Sequence, residues 1–443
     1  MKKKFSMALL SSGFILFSLA AGAQKGVDTT LPPQATLQAV VQYALKHYPL
    51  IQQAYLDEQI TDREIKSKLA DWYPQLKLNA NYQNNFQLTK IPFNGSTISS
   101  GTYNQSNVQL GLSQTLFNRD VLLAAQTKGD VRTQVRQMTI SDKIDVTVNV
   151  SKAFYDVLLT QQQIQVLNDD ITRLERNLKD AYNQYKGGLV DKTDYKRATI
   201  SLNNSKAQKR SDEEALKARY AVLKQLMGYT GQDSIRLSYD STQMESEVLI
   251  DTLAPVDYTK RIEYQSLLTQ KKLQLANLKY NKWSYIPELS AVGAYNFNYF
   301  NSQFSKLYND NFPNSYAGLQ LSFPIFQGTK RTQNIRIAEL QVTRLDFDIV
   351  NLQTAINTQY AQALAAYKGY LNNYYVLKEN LALASEVYNT IELQYRSGIK
   401  AYLEVITAET DLKNAQTNYS DALYQVLSSK LDVQRALGTI QYY

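Results

Sequence analysis

YKGGLVDKTDY, residues 185–195, and YRSGIKAYLEV, residues 395–405, are two versions of one short turn, and the equivalent glycines Gly188 and Gly398 stand 210 residues apart. Each lies between long stretches rich in helix formers, and neither has a catalytic constellation beside it. Glycine is the residue that most readily takes the left-handed conformation in which helices end. Gly187-Gly188 and Ser397-Gly398 are therefore expected to stop one helix, with Thr193 or Leu403 beginning the return. On this reading the turns are the tips of two helical hairpins.

The rest of the chain repeats with them. Pro74-Gln75-Leu76 matches Pro287-Glu288-Leu289, Leu110-Gly111-Leu112-Ser113 with Phe117 matches Leu319-Gln320-Leu321-Ser322 with Phe326, and Met227-Gly228 matches Leu437-Gly438. The offsets run 213, 209 and 210, so the chain reads as two copies of one unit, with the length differences absorbed in a loop between Leu76 and Leu110. The expected organisation is a first repeat over 24–230, a linker or equatorial segment over 231–255 rich in Ser, Thr and Asp, and a second repeat over 256–443.

Within each copy the period changes twice. Residues 36–71 favour helix. Past Pro74 the period becomes two: Leu76, Leu78, Ala80 and Tyr82 alternate with Gln75, Lys77, Asn79 and Asn81, and Val108, Leu110 and Leu112 alternate with Gln109, Gly111 and Ser113 after a loop containing Asn94-Gly95. This is a hairpin over about 75–117. In the second copy, about 288–326, Leu289, Ala291, Gly293, Tyr295, Phe297 and Tyr299 share a face, and Ala317, Leu319, Leu321 and Phe323 return. Such strands fit a membrane barrel with a wet lumen, and equally a half-buried soluble sheet. A membrane reading has a further consequence: four strands cannot close a barrel and open edges are not tolerated in lipid, so several chains must pool their strands. Two chains give a filled eight-stranded barrel; three give twelve strands and a channel, which suits the Gln, Asn, Lys and Ser of the inward set.

Long helices follow, over about 121–186 and 330–396, each a rod of about 100 Å at ~1.5 Å per residue. Ile164, Leu167, Ile171, Leu174, Leu178, Ala181 and Tyr185 step by threes and fours, as do Val405, Ala408, Leu412, Ala415, Tyr419, Ala422 and Val426. These are coiled-coil seams. Tyr360, Tyr367, Tyr374 and Tyr388, among 33 tyrosines, are expected to pack with their hydroxyls at a wet edge.

Residues 1–23 read as a secretory signal: Lys2, Lys3 and Lys4, an apolar run from Met7 to Ala20, and Ala21-Gly22-Ala23. Its removal changes the formal charge from +8 to 8 − 3 = +5, with no basic block of the kind nucleic acid requires. The chain has no cysteine, hence no disulfide, thiolate metal site or lipidated N-terminal cysteine. His47 is the single histidine and precedes Pro49 in a helical stretch. It is expected to pack rather than to serve a triad. With no phosphate loop either, no enzyme, metal or cofactor is expected, and the abundant helix charges read as solvated faces.

Gly188-Leu189-Val190-x-x-Thr193-Asp194 followed by Ala198, and Ser397-Gly398-Ile399 followed by Glu404-Val405 and Ala408, resemble the two tips of the TolC-like outer-membrane efflux family. The resemblance covers nearly the whole mature chain in order. It implies a mainly α fold with a membrane β-barrel: four strands per chain, a homotrimeric 12-stranded barrel in outer-membrane lipid, and a long helical periplasmic tunnel. The tips, Gly187, Gly188, Leu189, Val190, Thr193, Asp194, Ser397, Gly398, Ile399 and Leu403, would dock a periplasmic adaptor that bridges to an inner-membrane pump. The family's periplasmic gate carries over at Thr193, Asp194, Tyr395 and Glu404, whereas Thr407 replaces a second acid and Leu423 an arginine. The resemblance thus implies the passive exit duct of a tripartite efflux pump. A type I protein-secretion duct shares these features, and a coiled-coil structural or adhesive surface protein is the alternative of another class.

Overall fold

The first helical stretch divides where its sequence demands. In a computed structural model, which describes residues 34–231, 235–238 and 241–442, α1 spans Leu37–His47 and α2 spans Pro49–Leu69. The single helix expected over 36–71 is broken at Tyr48, whose ψ of 126° is extended. Proline disfavours a helical conformation in the residue before it and lacks a donor, yet it suits the first turn of a new helix. The signal segment lies outside the described residues.

Strand β1 (Gln75–Asn84) and strand β4 (Asn104–Phe117) form the expected hairpin, but the loop between them is itself ordered. It holds a short ribbon, β2 (Thr89–Phe93) paired with β3 (Ser96–Ser100). Asn94 and Gly95 both have positive φ, 47° and 80°, the tight turn that an Asn-Gly pair favours between antiparallel strands. The described strands therefore number six rather than four. β5 (Glu288–Asn301) and β6 (Asn314–Ser322) form the second hairpin, and β6 stops before Phe323, short of the expected 326.

The two hairpins join edge to edge in one antiparallel sheet, in the order β1-β4-β5-β6. Its register carries the period-two pattern across all four strands. Leu78 opposes Leu110, which opposes Tyr295, and Leu76, Leu112, Gly293 and Ala317 lie in the next row of the same face. That face is bare: Leu76, Leu78, Leu319 and Leu321 are each about two-thirds exposed. The other face carries amides that bond across strands, Asn79 to Gln109 at 3.3 Å, Asn107 to Asn298 at 2.7 Å and Asn296 to Asn314 at 2.6 Å.

Two rods leave the sheet. The first, α3 (Arg119–Lys186), starts on Asn118, whose side chain accepts from the Asp120 amide at 2.7 Å. The chain returns along it as α4 (Lys192–Met227). After the short α5 (Ser241–Ser246), α6 (Ile262–Lys282) leads into the second hairpin of strands, and α7 (Lys330–Arg396) and α8 (Tyr402–Leu437) repeat the long rod and its return. The rods are 68 and 67 residues, about 100 Å at ~1.5 Å per residue. Each return helix has 36 residues and ends on a left-handed glycine, Gly228 or Gly438. A Cβ on Gly228 would stand 2.6 Å from the His47 carbonyl oxygen, and one on Gly438 would stand 2.7 Å from that of Lys260. The end of α4 is thus pressed onto the start of α2, and the end of α8 onto the start of α6, so each pair continues as one line beside its rod.

The main apolar core lies at mid-length, where Val40, Ala44, Val150, Phe154, Leu158, Leu223, Met227, Leu427 and Val433 meet. A segment between α5 and α6 crosses α7 and α8 there. The Tyr367 hydroxyl is not at a wet edge as expected: the side chain is fully buried and donates to the Val248 carbonyl at 2.9 Å. Tyr360 donates to the Ala254 carbonyl at 3.2 Å, and Glu245 pairs with Lys378 and accepts from Tyr419. Tyr360 and Tyr367 serve here because their rings pack into the core while their hydroxyls find backbone partners in the crossing segment; the buried Tyr388 hydroxyl, also expected at a wet edge, has no hydrogen-bond partner among the described residues.

Candidate functional site

The tips are built alike at the level of the backbone. In the first, the Gly188 amide donates to the Tyr185 carbonyl at 3.0 Å and the Leu189 amide to that of Gln184 at 2.9 Å. In the second, Gly398 donates to Tyr395 at 2.9 Å and Ile399 to Gln394 at 2.9 Å. This pair of bonds is the glycine-dependent helix stop, and Gly188 and Gly398 have φ of 73° and 75°. Gly187 and Ser397 are the ordinary right-handed residues before them.

The returns begin one residue earlier than the sequence suggested, at Lys192 and Tyr402. In the first tip the cause is Asp191, whose carboxylate accepts from the Thr193 amide at 3.0 Å. An aspartate in this position satisfies one of the orphan donors of the first turn and complements the helix dipole. Asp191 went unnoticed in the sequence although the Asp-x-Thr spacing was legible. The second tip has Ala401 at that place and no side-chain cap.

Of the residues named for the tips and the gate, some meet and others do not. Leu189 and Ile399, 79% and 71% exposed, project into solvent, and Leu403 is half-exposed. Tyr395 is buried with Tyr402, Val405 and Ala198, and its hydroxyl donates to Gln184 at 3.2 Å, tying the end of α7 to the end of α3. Burial chiefly raises the Tyr395 phenol above its ordinary range, and the nearby Asp180 and Asp194 carboxylates add to that shift. Asp194 thus belongs to the same neighbourhood as Tyr395. Glu404, in the first turn of α8, pairs with Lys400 just before the helix at 2.6 Å, and Thr407 donates to the Leu403 carbonyl. Leu423, 25 residues past Gly398, is buried in the mid-length core and so has no place at a tip.

One set of helix charges beneath the tips departs from expectation. Helix charges were expected on solvated faces, yet Asp170 and Glu409 are each 2% exposed and stand between the two hairpins. Arg173 lies 3.5 Å from Asp170 and 3.4 Å from Glu409, with its guanidinium over the Tyr388 ring. No periodic signal distinguishes these charges from exposed ones, because their partners stand on other helices, Ser205 being 35 residues from Asp170 and Asn177 being 232 residues from Glu409.

The described residues contain no group of His, Asp or Glu arranged to hold a metal. His47 stacks on Tyr43 with ring centres 4.1 Å apart, and partial burial together with Lys46 lowers its pKa. No described helix is long and apolar enough to cross a membrane.

Comparison with known proteins agrees with this geometry. Residues 40–229 and 269–439 match the family model described as outer membrane efflux protein. The chain is 21% identical to the outer membrane protein TolC of Salmonella enteritidis over 444 residues, covering 96% of this chain and 86% of that one. It is also 21% identical to the proteases secretion protein PrtF of Dickeya chrysanthemi, covering 90% and 87%. Among solved structures, CusC superposes with a TM-score of 0.72 at 17% identity over 90% of this chain and 91% of that one.

Proposed function

The chain belongs to the outer membrane efflux protein family and is a transport protein of the outer membrane, and from that premise we propose that three copies form the passive exit duct of a tripartite efflux pump. The observation that carries this reading is the sheet. It has one bare apolar face, one face of bonded amides, and two open edges, β1 and β6. Lipid tolerates the apolar face and forbids the edges. Pairing β1 of one copy with β6 of the next closes the sheet; three copies of four strands make twelve, with the amides around a wet lumen.

The two halves, 24–230 and 256–443, act as repeats, with 231–255 as a belt between them. The rods carry the lumen about 100 Å into the periplasm. There Gly187 to Val190, Thr193 and Asp194, with Ser397 to Ile399 and Leu403, offer exposed apolar side chains to a periplasmic adaptor that joins the duct to an inner-membrane pump. Thr193, Asp194, Tyr395 and Glu404 border the periplasmic mouth. A protein-secretion duct is the second reading, favoured by the likeness to PrtF over nine-tenths of the chain.

Detergent-extracted protein measured by light scattering and then fused into planar bilayers tests the duct. A trimer that conducts supports it. A stable, folded monomer without conductance overturns it.

A further inference from the structure

The buried cluster beneath the tips draws residues from all four long helices, its charges from α3 and α8. Asp170 and Arg173 come from α3, Glu409 from α8, Tyr388 from α7, and Ser205 of α4 donates to Asp170 at 2.7 Å. Asn177 of α3 donates to the second Glu409 oxygen at 3.2 Å. Glu409 lies seven residues past Tyr402, the first residue of α8, about 10 Å along the helix at ~1.5 Å per residue. It is separate from the residues that form the turns.

Its charges do not balance. Two carboxylates, each 2% exposed, share one guanidinium that is itself mostly buried. The Arg173 contact with Glu409 is within ion-pair distance but off hydrogen-bond alignment, so Arg173 Nε and Glu409 Oε1 both lack a bond. When both acids are ionised the site holds a net negative charge, and burying a charge without a full partner opposes packing. When Glu409 is protonated the site is neutral.

We propose that Asp170, Arg173 and Glu409 form a proton-operated clasp between the two helical hairpins, packed when Glu409 carries a proton and loosened when it is ionised. The other groups around Glu409 favour this behaviour. Burial, and then the Asp170 carboxylate, raise its pKa, which the Arg173 charge and the Asn177 hydrogen bond only partly oppose; it settles at about 7. Tyr388 on α7, itself pushed up to about 12 chiefly by burial, and Tyr402 on α8, raised above its ordinary range chiefly by burial, remain neutral phenols throughout. At the surface Arg176 and Arg396 both pair with Glu392, and Lys206 pairs with Glu175, so the flanking acids are already engaged by surface cations.

The direction follows from linkage. A loosened Glu409 ionises in the ordinary carboxylate range, whereas a packed one resists ionisation to about 7. Between those values the ratio of loosened to packed protein rises with pH, by up to about tenfold per unit, and above them it levels off. The clasp stands without the duct reading; a wider periplasmic mouth as its consequence rests on that reading.

The test is hydrogen–deuterium exchange of the purified full chain, corrected for intrinsic rates, in peptides covering 166–181 and 402–413 from about pH 5 to about pH 8. The parent is expected to lose protection as pH rises. Glu409→Gln should stay protected with the pH dependence gone. Asp170→Asn keeps the Ser205 contact and gives Arg173 wholly to Glu409, so its loss of protection should end at lower pH and be smaller. This variant decides the matter alone if the glutamine fails to assemble. A parent with no pH dependence, a Glu409→Gln protein that keeps it, or an Asp170→Asn protein that follows the parent would each overturn the clasp. Bilayer conductance of the same proteins separates the two ideas: exchange that responds to pH with conductance that does not upholds the clasp and refutes its coupling to a mouth.

Discussion

Gly188 and Gly228 share a backbone conformation and differ in what surrounds them, which makes their alanine variants a test of how the rods are joined. Their φ angles are 73° and 66°, so either substitution incurs the left-handed penalty of roughly 1 kcal/mol. At Gly188 a Cβ meets nothing within 4 Å, and the penalty is the whole effect. At Gly228 it would lie 2.6 Å from His47 O and 2.8 Å from Tyr48 Cα. Those atoms are backbone and cannot swing aside, so α4 must lift from the α1–α2 junction, where Met227, Leu223 and Ala44 are buried. Overpacking of this kind adds about 1–3 kcal/mol, giving about 2–4 kcal/mol in all for Gly228→Ala. Thermal unfolding followed by helical circular dichroism at one scan rate should place Gly188→Ala slightly below the parent and Gly228→Ala well below it. Equal midpoints for the two variants would mean that the end of α4 is not pressed against the start of α2, and the continuous line beside the first rod would have to be abandoned.

Cysteine placed in this cysteine-free chain at Asn79 or Gln109 should react with a small charged thiol reagent in the assembled protein, while cysteine at Leu78 or Leu110 should be shielded by lipid; the reverse would put the amide face in the membrane. Gly188→Val and Gly398→Val, and substitutions at Thr193 and Asp194 or at Leu403 and Glu404, should reach the outer membrane at parental levels yet fail to restore export to a deletion strain. Parental export by the two valine variants would remove the tips from the docking role. Tyr367→Phe should cost about 1–2 kcal/mol by stranding the buried Val248 carbonyl, read as a lowered unfolding midpoint; no change would mean that the belt is not held there.

Much of this architecture was written locally. Alternation along Leu76 to Tyr82 is a property of consecutive residues, and it assigned the two sheet faces that the register later showed. Gly188 and Gly398 marked two helix ends because a left-handed stop depends on one residue's own sterics; Gly228 and Gly438 end α4 and α8 in the same way. The threes-and-fours spacing of Leu167, Leu174 and Ala181, and of Val405, Ala408 and Leu412, likewise placed the buried stripes of α3 and α8. Pairings between distant segments were another matter. That β4 would bond to β5 and fuse the hairpins, that Tyr367 would find the Val248 carbonyl, and that Glu409 would be enclosed with Asp170 all depend on elements about 120 to 240 residues apart in the chain. A carboxylate on a helix has the same local pattern whether water or another helix covers it. Only the packing of the four long helices decided which charges were removed from water, Asp170 and Glu409 beneath the tips among them.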